Sequence, residues 1–216
     1  MKTDRIFLRV IILLAGLVIA HFGVTLFLLA NLGSDPFNVF IQGLFRIISA
    51  RFCSDAITHG RVHMAVCLII ILILLVADRS YIKIGTVICM LFGGPIIDFF
   101  TKLLTPLGLG GAPLAVRILI NCLGCVILAY GMTVVIKSDA GTGPNDLVAV
   151  VISDKLKKKF GVVRIIVDVC FAALGFLMGG TVGIGTVICA FLVGTVAGLF
   201  MPVNGKLVDK ILGRFS

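Results

Sequence analysis

The chain has 216 residues, of which 60% are hydrophobic and 13% charged, with a mean hydropathy of +1.21. A soluble domain, ordinarily about 45–50% apolar, has no interior large enough for that load, and the long runs do not alternate as barrel strands would. Lipid offers backbone groups no partners, so the runs must be helices; the net charge of +9 falls in short clusters between them, which fits membrane orientation and argues against nucleic acid.

In chain order, Met1 to Ala30 gives a basic start and then about 20 apolar residues, longer than a signal-peptide core, and reads as a retained first span. A Gly/Pro turn follows, Gly33-Ser34-Asp35-Pro36, then a short apolar helix from Phe37 to Ala50. Longer apolar helices follow from Val62 to Val76 and from Ile84 to Phe100. The same series then repeats: Leu114 to Ile136, the turn Gly141-Thr142-Gly143-Pro144, a short stretch from Leu147 to Ile152, then Val162 to Met178 and Ile184 to Phe200.

The repetition is in the residues as well as in the hydropathy. IGTVIC occurs at Ile84 to Cys89 and again at Ile184 to Cys189. At a second constant spacing Arg9 pairs with Arg117, Gly16 with Gly124, Gly23 with Gly131, Thr25 with Thr133, Gly33 with Gly141 and Pro36 with Pro144. Shared apolarity alone does not match glycines and polar residues. The expected architecture is therefore all-α, a polytopic transmembrane bundle of two tandem repeats, residues 1–108 and 109–216. Each repeat has about four helical segments, the second of them short and broken.

Whether that second helix crosses decides how the copies are oriented. Its apolar part in the first copy is about 14 residues, against roughly 20 for a perpendicular span. With eight crossings and a cytoplasmic N-terminus, Arg79, Lys83 and Lys137 are the basic residues left outside; with six crossings these become Arg46, Arg51, Arg61, Lys102 and Arg117. The smaller outside set favours eight crossings, four per copy, and hence parallel copies with both termini cytoplasmic. The short helices are then expected to begin part-way through the bilayer.

The turn patterns from Gly33 to Asn38 and from Gly141 to Asp146, each after a long first helix, with IGT opening the last helix of each copy, resemble those of the YczE-like (YczE/YyaS/YitT) bacterial membrane proteins. The resemblance implies a plasma-membrane location and a helical bundle, and transfers neither a substrate nor catalytic residues.

Candidate site residues come from two features. A helix that starts inside the bilayer points unpaired N–H groups at whatever lies there, so Ser34, Asp35, Asn38, Thr142, Asn145 and Asp146 could frame a site for a small polar or anionic substrate. The competing reading is an ordinary capped turn at the membrane surface, with Asp35 as N-cap before Pro36. Ionisable residues inside apolar segments are the second feature: His21, His63, Asp98, Arg164 and Asp168. Arg164 and Asp168 share a helix face, with Arg164 and His63 expected to snorkel from helix ends. Asp98 is expected beside Lys102, and His21 against a neighbouring helix.

Seven cysteines lie mostly in apolar runs, and Cys122 and Cys125 have no second ligand pair nearby, so neither a disulfide framework nor a metal site is expected. No hydrolase, ATPase or metalloprotease motif appears, so the chain reads as neither an enzyme nor a cofactor protein. Lys155, Lys157, Lys158 and Lys159 are expected to meet anionic lipid head groups. A small transporter or permease is the leading expectation, with a substrate-binding subunit of an uptake system and an accessory membrane protein as alternatives.

Overall fold

A computed structural model describes residues 2–33, 35–52 and 59–213. The chain is an all-α bundle: α1 Lys2–Leu29, α2 Pro36–Phe52, α3 His59–Ala77, α4 Ile84–Leu104, α5 Leu114–Lys137, α6 Pro144–Leu156, α7 Phe160–Leu177 and α8 Ile184–Ile211. Among the described residues five helices (α1, α4, α5, α7 and α8) are long and apolar enough to cross a membrane, and α3 carries a shorter apolar stretch, Val62–Ala77. The short members, α2 with 17 residues and α6 with 13, each start at the Pro of a Gly/Pro turn.

At the centre α1 packs on α5 through glycines. A Cβ placed on Gly23 would come within 2.5 Å of the Leu128 backbone N, and one on Gly16 within 2.9 Å of the Val135 N. Gly124 faces Phe27, and Gly131 faces Ala20. Between lipid-exposed helices there is little hydrophobic drive, so close backbone approach supplies the contact energy and small residues are required. Early residues of α1 meet late residues of α5 throughout, so the two helices run antiparallel.

The other contacts extend this opposition. On α4, Gly85 faces Leu13 and Gly93 faces His21, so α4 runs with α1. Asn121 lies against Gly185, while Asn204 Nδ2 donates to Thr133 Oγ1 at 2.6 Å, so α8 runs with α5. Phe37 meets Phe171 at 5.2 Å between ring centroids and Gly43 meets Gly175, so α2 runs with α7. Gly161 packs on Gly198 and Ile165 on Gly194, so α7 opposes α8, in close contact at the Gly194–Gly198 spacing.

The expectation of parallel copies is therefore wrong: equivalent helices of the two halves point in opposite directions. Consecutive helices α1 and α2 point the same way, which requires the chain to step back between them. A difference of a few basic residues is too small a margin to overrule a second helix that lacks the length to cross.

Two matching bonds stitch the halves together. The Gly185 N–H donates to the Leu32 carbonyl at 2.8 Å, and the Gly85 N–H donates to the Ala140 carbonyl at 2.8 Å. Each turn thus docks on the start of the other half's last helix. Gly33 has φ +126° and Gly141 φ +135°, and a Cβ at either would lie 2.9 Å from Gly183 Cα or 2.5 Å from the Thr86 N. Both the conformation and the space demand glycine.

Candidate functional site

Arg164 sits one turn into α7 and is 7% exposed. Its Nε donates to Asp168 Oδ2 at 2.8 Å, one turn further along the same helix, and its Nη1 donates to Asp146 Oδ1 at 2.5 Å in the first turn of α6. Asp168 is 1% exposed. Lipid-depth charge is costly unless paired and hydrogen-bonded, and the planar guanidinium meets two carboxylates at once. The snorkelling expected of Arg164 does not occur, because two carboxylates hold its head inside the bundle.

Asp146 occupies the place of Asn38 in the repeat, and Arg164 and Asp168 occupy those of His63 and Cys67. One half therefore carries an Asp–Arg–Asp triad where the other carries an asparagine, a histidine and a cysteine. His63 packs edge-on against Phe37 at 5.4 Å, an aromatic contact in place of a snorkelling one.

The start of α2 approaches α7 from the other end. Asp35 caps the helix: the Asn38 N–H donates to Asp35 Oδ1 at 3.1 Å, and the Asn38 side-chain Nδ2 donates to Oδ2 at 2.5 Å. The Phe37 ring reaches Phe171, roughly 10 Å along α7 from Arg164 at 1.5 Å per residue. The two helix starts thus address one helix from opposite ends, with Asp168 between them. The glycines of the turns do not meet there; they are held against α4 and α8.

Ser34 falls outside the described residues. Asn145 is half-buried, its Oδ1 turned toward Gly143. Thr142 is 4% exposed and its Oγ1 has no hydrogen-bond partner among the described residues. His21 donates from Nδ1 to the Leu17 carbonyl of its own helix at 2.8 Å, not to a neighbour, although its Nε2 faces Gly93 of α4. Asp98 is exposed and forms no ion pair with Lys102 among the described residues, so the expected pairing is absent. Lys155, Lys157, Lys158 and Lys159 are exposed. Six described cysteines are free, and Cys53 lies outside the described residues.

A cavity of about 780 Å³ opens beside α6, at the end of the bundle where α1 begins and α8 finishes. Thr142, Leu147, Val150 and Ser153 line one side; Ser80, Tyr81 and Lys83 from the α3–α4 turn line another. Phe160 and Met201 form part of its wall. Sequence reading missed this cavity and the α3–α4 turn that bounds it, since nothing in the order of residues places that turn beside α6. The one signal was indirect: the repeat makes residues 79–83 and 179–183 equivalent, and the latter open a helix that holds a Gly/Pro turn.

Comparison with known proteins matches the resemblance. A Bacillus subtilis protein named "Uncharacterized membrane protein YczE" is 30% identical over 203 residues, covering 93% of this chain and 88% of that protein. An "Uncharacterized protein" of Haemophilus influenzae is 28% identical over 198 residues, 91% and 84% of the two chains. "Uncharacterized protein YyaS" of B. subtilis is 23% identical over 189 residues, 87% and 90%. No solved structure matches the chain. With residues 7–202 matching the family described as "Family of unknown function (DUF6198)", this integral membrane chain belongs to that family, a YczE-like one.

Proposed function

We propose that this chain is a small transporter or permease-like protein whose substrate lies between the repeats, where the starts of α2 and α6 approach α7. The observation that carries the reading is the triad of buried Arg164 and Asp168 with half-buried Asp146, held between two helices that start short of a full crossing inside oppositely oriented halves. Discontinuous helices of this kind place N–H groups and polar side chains at depth without exposing backbone to lipid.

In this reading each half crosses three times, α2 and α6 do not cross, and both termini lie on one face. That face carries Arg9, Arg79, Lys83, Lys137 and the lysines from Lys155 to Lys159, and the opposite face carries Arg46, Arg51, Lys102 and Arg117. The excess supports reading the terminal face as the cytoplasmic one, in a bacterial plasma membrane. The exposed lysines meet anionic head groups there.

A specific observation also favours a substrate-binding subunit of an uptake complex: the cavity opens on one face. Co-purification with an ATPase module separates the two readings.

The test is binding and uptake by purified, reconstituted protein against a panel of small polar and anionic solutes. Asp35→Ala, Asn38→Ala, Asn145→Ala, Asp146→Asn and Asp168→Asn should weaken binding of whichever solute is taken up. Full retention of binding in all five variants would remove the site from between the repeats.

A further inference from the structure

The two short helices occupy equivalent places in opposite halves but are seated differently. On the face away from the termini, α2 is packed shut on α7: a Cβ on Gly43 would lie 2.5 Å from the Gly175 carbonyl and 2.8 Å from Met178 Cβ. Above this contact Arg46 Nη2 donates to Thr181 Oγ1 at 3.1 Å, Arg46 Nη1 donates to the Gly179 carbonyl, and the Thr181 N–H donates to Gln42 Oε1 at 2.6 Å.

On the terminal face the equivalent helices are α6 and α3. The place of Gly43 is taken by Val151 and that of Gly175 by Leu74, and these two pack with Leu147 as bulky side chains instead of touching backbones. The place of Arg46 is taken by Asp154 and that of Thr181 by Tyr81. Tyr81 packs against the Leu74, Leu147 and Val151 cluster, and Tyr81 and Asp154 both line the mouth of the cavity. The Lys83 ammonium also donates to the Asp139 carboxylate at this rim, and behind it stands the 780 Å³ cavity, with Thr142 Oγ1, unpartnered among the described residues, in its wall.

We propose that Arg46–Thr181 and Asp154–Tyr81 are a pair of repeat-related latches on opposite faces, and that residue size at Gly43/Gly175 against Val151/Leu74 sets the resting state open toward the terminal face. In the opposite state α2 parts from α7 while α6 closes over the cavity. Equivalent elements exchanging their seating is the motion that oppositely oriented repeats permit around a fixed site. Because the states differ in which pair of helices is in close contact, loosening one latch must favour closure of the other.

This inference rests on the transporter reading, but its test needs no substrate. The full chain, with its native cysteines replaced, is reconstituted in vesicles. One reporter is Val150→Cys in the cavity wall and the other is Phe40→Cys at the α2–α7 contact, each labelled from its own side with a membrane-impermeant maleimide. Gly43→Val, which installs the residue of the other half, is expected to slow Val150→Cys labelling about tenfold and to speed Phe40→Cys labelling, the signature of a population shift. Arg46→Ala should act in the same direction more weakly, and serves as the milder variant where Gly43→Val does not fold.

Unchanged labelling at either reporter in both variants, or faster labelling at both, would overturn the coupled latches. Either outcome leaves the uptake assay free to decide transport on its own.

Discussion

The Arg9 guanidinium donates to the Asp139 carboxylate at 2.8 Å, tying the first turns of α1 to the end of α5. At the other end of the same helix pair Arg117 Nε donates to the Ala30 carbonyl at 2.8 Å, and its Nη2 donates to the Asn31 carbonyl. Arg9 is equivalent to Arg117, and Asp139 to Asn31; both acceptor residues hold positive φ, +59° and +50°. One structural device thus appears twice, once at each end, as oppositely oriented copies require.

The Arg9–Asp139 pair is partly exposed, with side chains 28% and 43% accessible, so Arg9→Ala should cost under about 1 kcal/mol. Thermal unfolding in detergent checks this. A loss of several degrees in Tm would mean that the pair holds the helices together.

Glycines at the α1–α5 contact should matter far more. Gly23→Val has nowhere to put its side chain, with the Leu128 N at 2.5 Å and the Gly124 carbonyl at 2.6 Å from the Cβ position. The expected loss is at least about 1–3 kcal/mol from overpacking, read as a lowered Tm or failed folding. Gly94→Ala, where nothing lies within 4 Å, should be silent in the same measurement.

Removing Arg164 leaves buried Asp168 and half-buried Asp146 without their shared cation. Arg164→Ala is expected to destabilise by about 3–5 kcal/mol, while the volume-matched apolar pair Arg164→Met with Asp168→Leu should recover much of the loss. Unfolding of the single and paired variants decides it. Recovery of stability without recovery of solute binding would separate the structural from the functional worth of the triad.

The cap at Asp35 gives a smaller, local prediction. Asp35→Ala should cost about 1 kcal/mol and Asp35→Ser much less, because a hydroxyl can still accept from the Asn38 N–H. Hydrogen exchange at the first turn of α2 should rise in the alanine variant alone.

Composition makes the all-α bundle legible in the sequence, and Asp35 with Pro36 marks the start of α2, where Asp35 caps the helix. Orientation was not legible. The charge count depends on where Arg46, Arg51 and Arg61 and the later basic residues fall, and all of these follow wherever α2 goes. The triad was legible only in part: the spacing of Arg164 and Asp168 gave their pairing, but the third member, Asp146, lies 18 residues earlier across a tight hairpin. Which face of α7 turns inward depends on packing against α2 and α8, and local spacing carries no record of that. The seating of His21 on its own helix has the same cause, since the glycine it faces on α4 leaves it no donor or acceptor.

Opposite orientation of the halves is tested most directly at the connection between them. Gly111, with open space around it and no left-handed backbone, accepts a cysteine. In a chain with its native cysteines replaced, Gly111→Cys should react with a membrane-impermeant thiol reagent from the face opposite both termini, because three crossings separate it from each. Labelling from the same face as the termini would mean an even number of crossings per copy and would contradict the account.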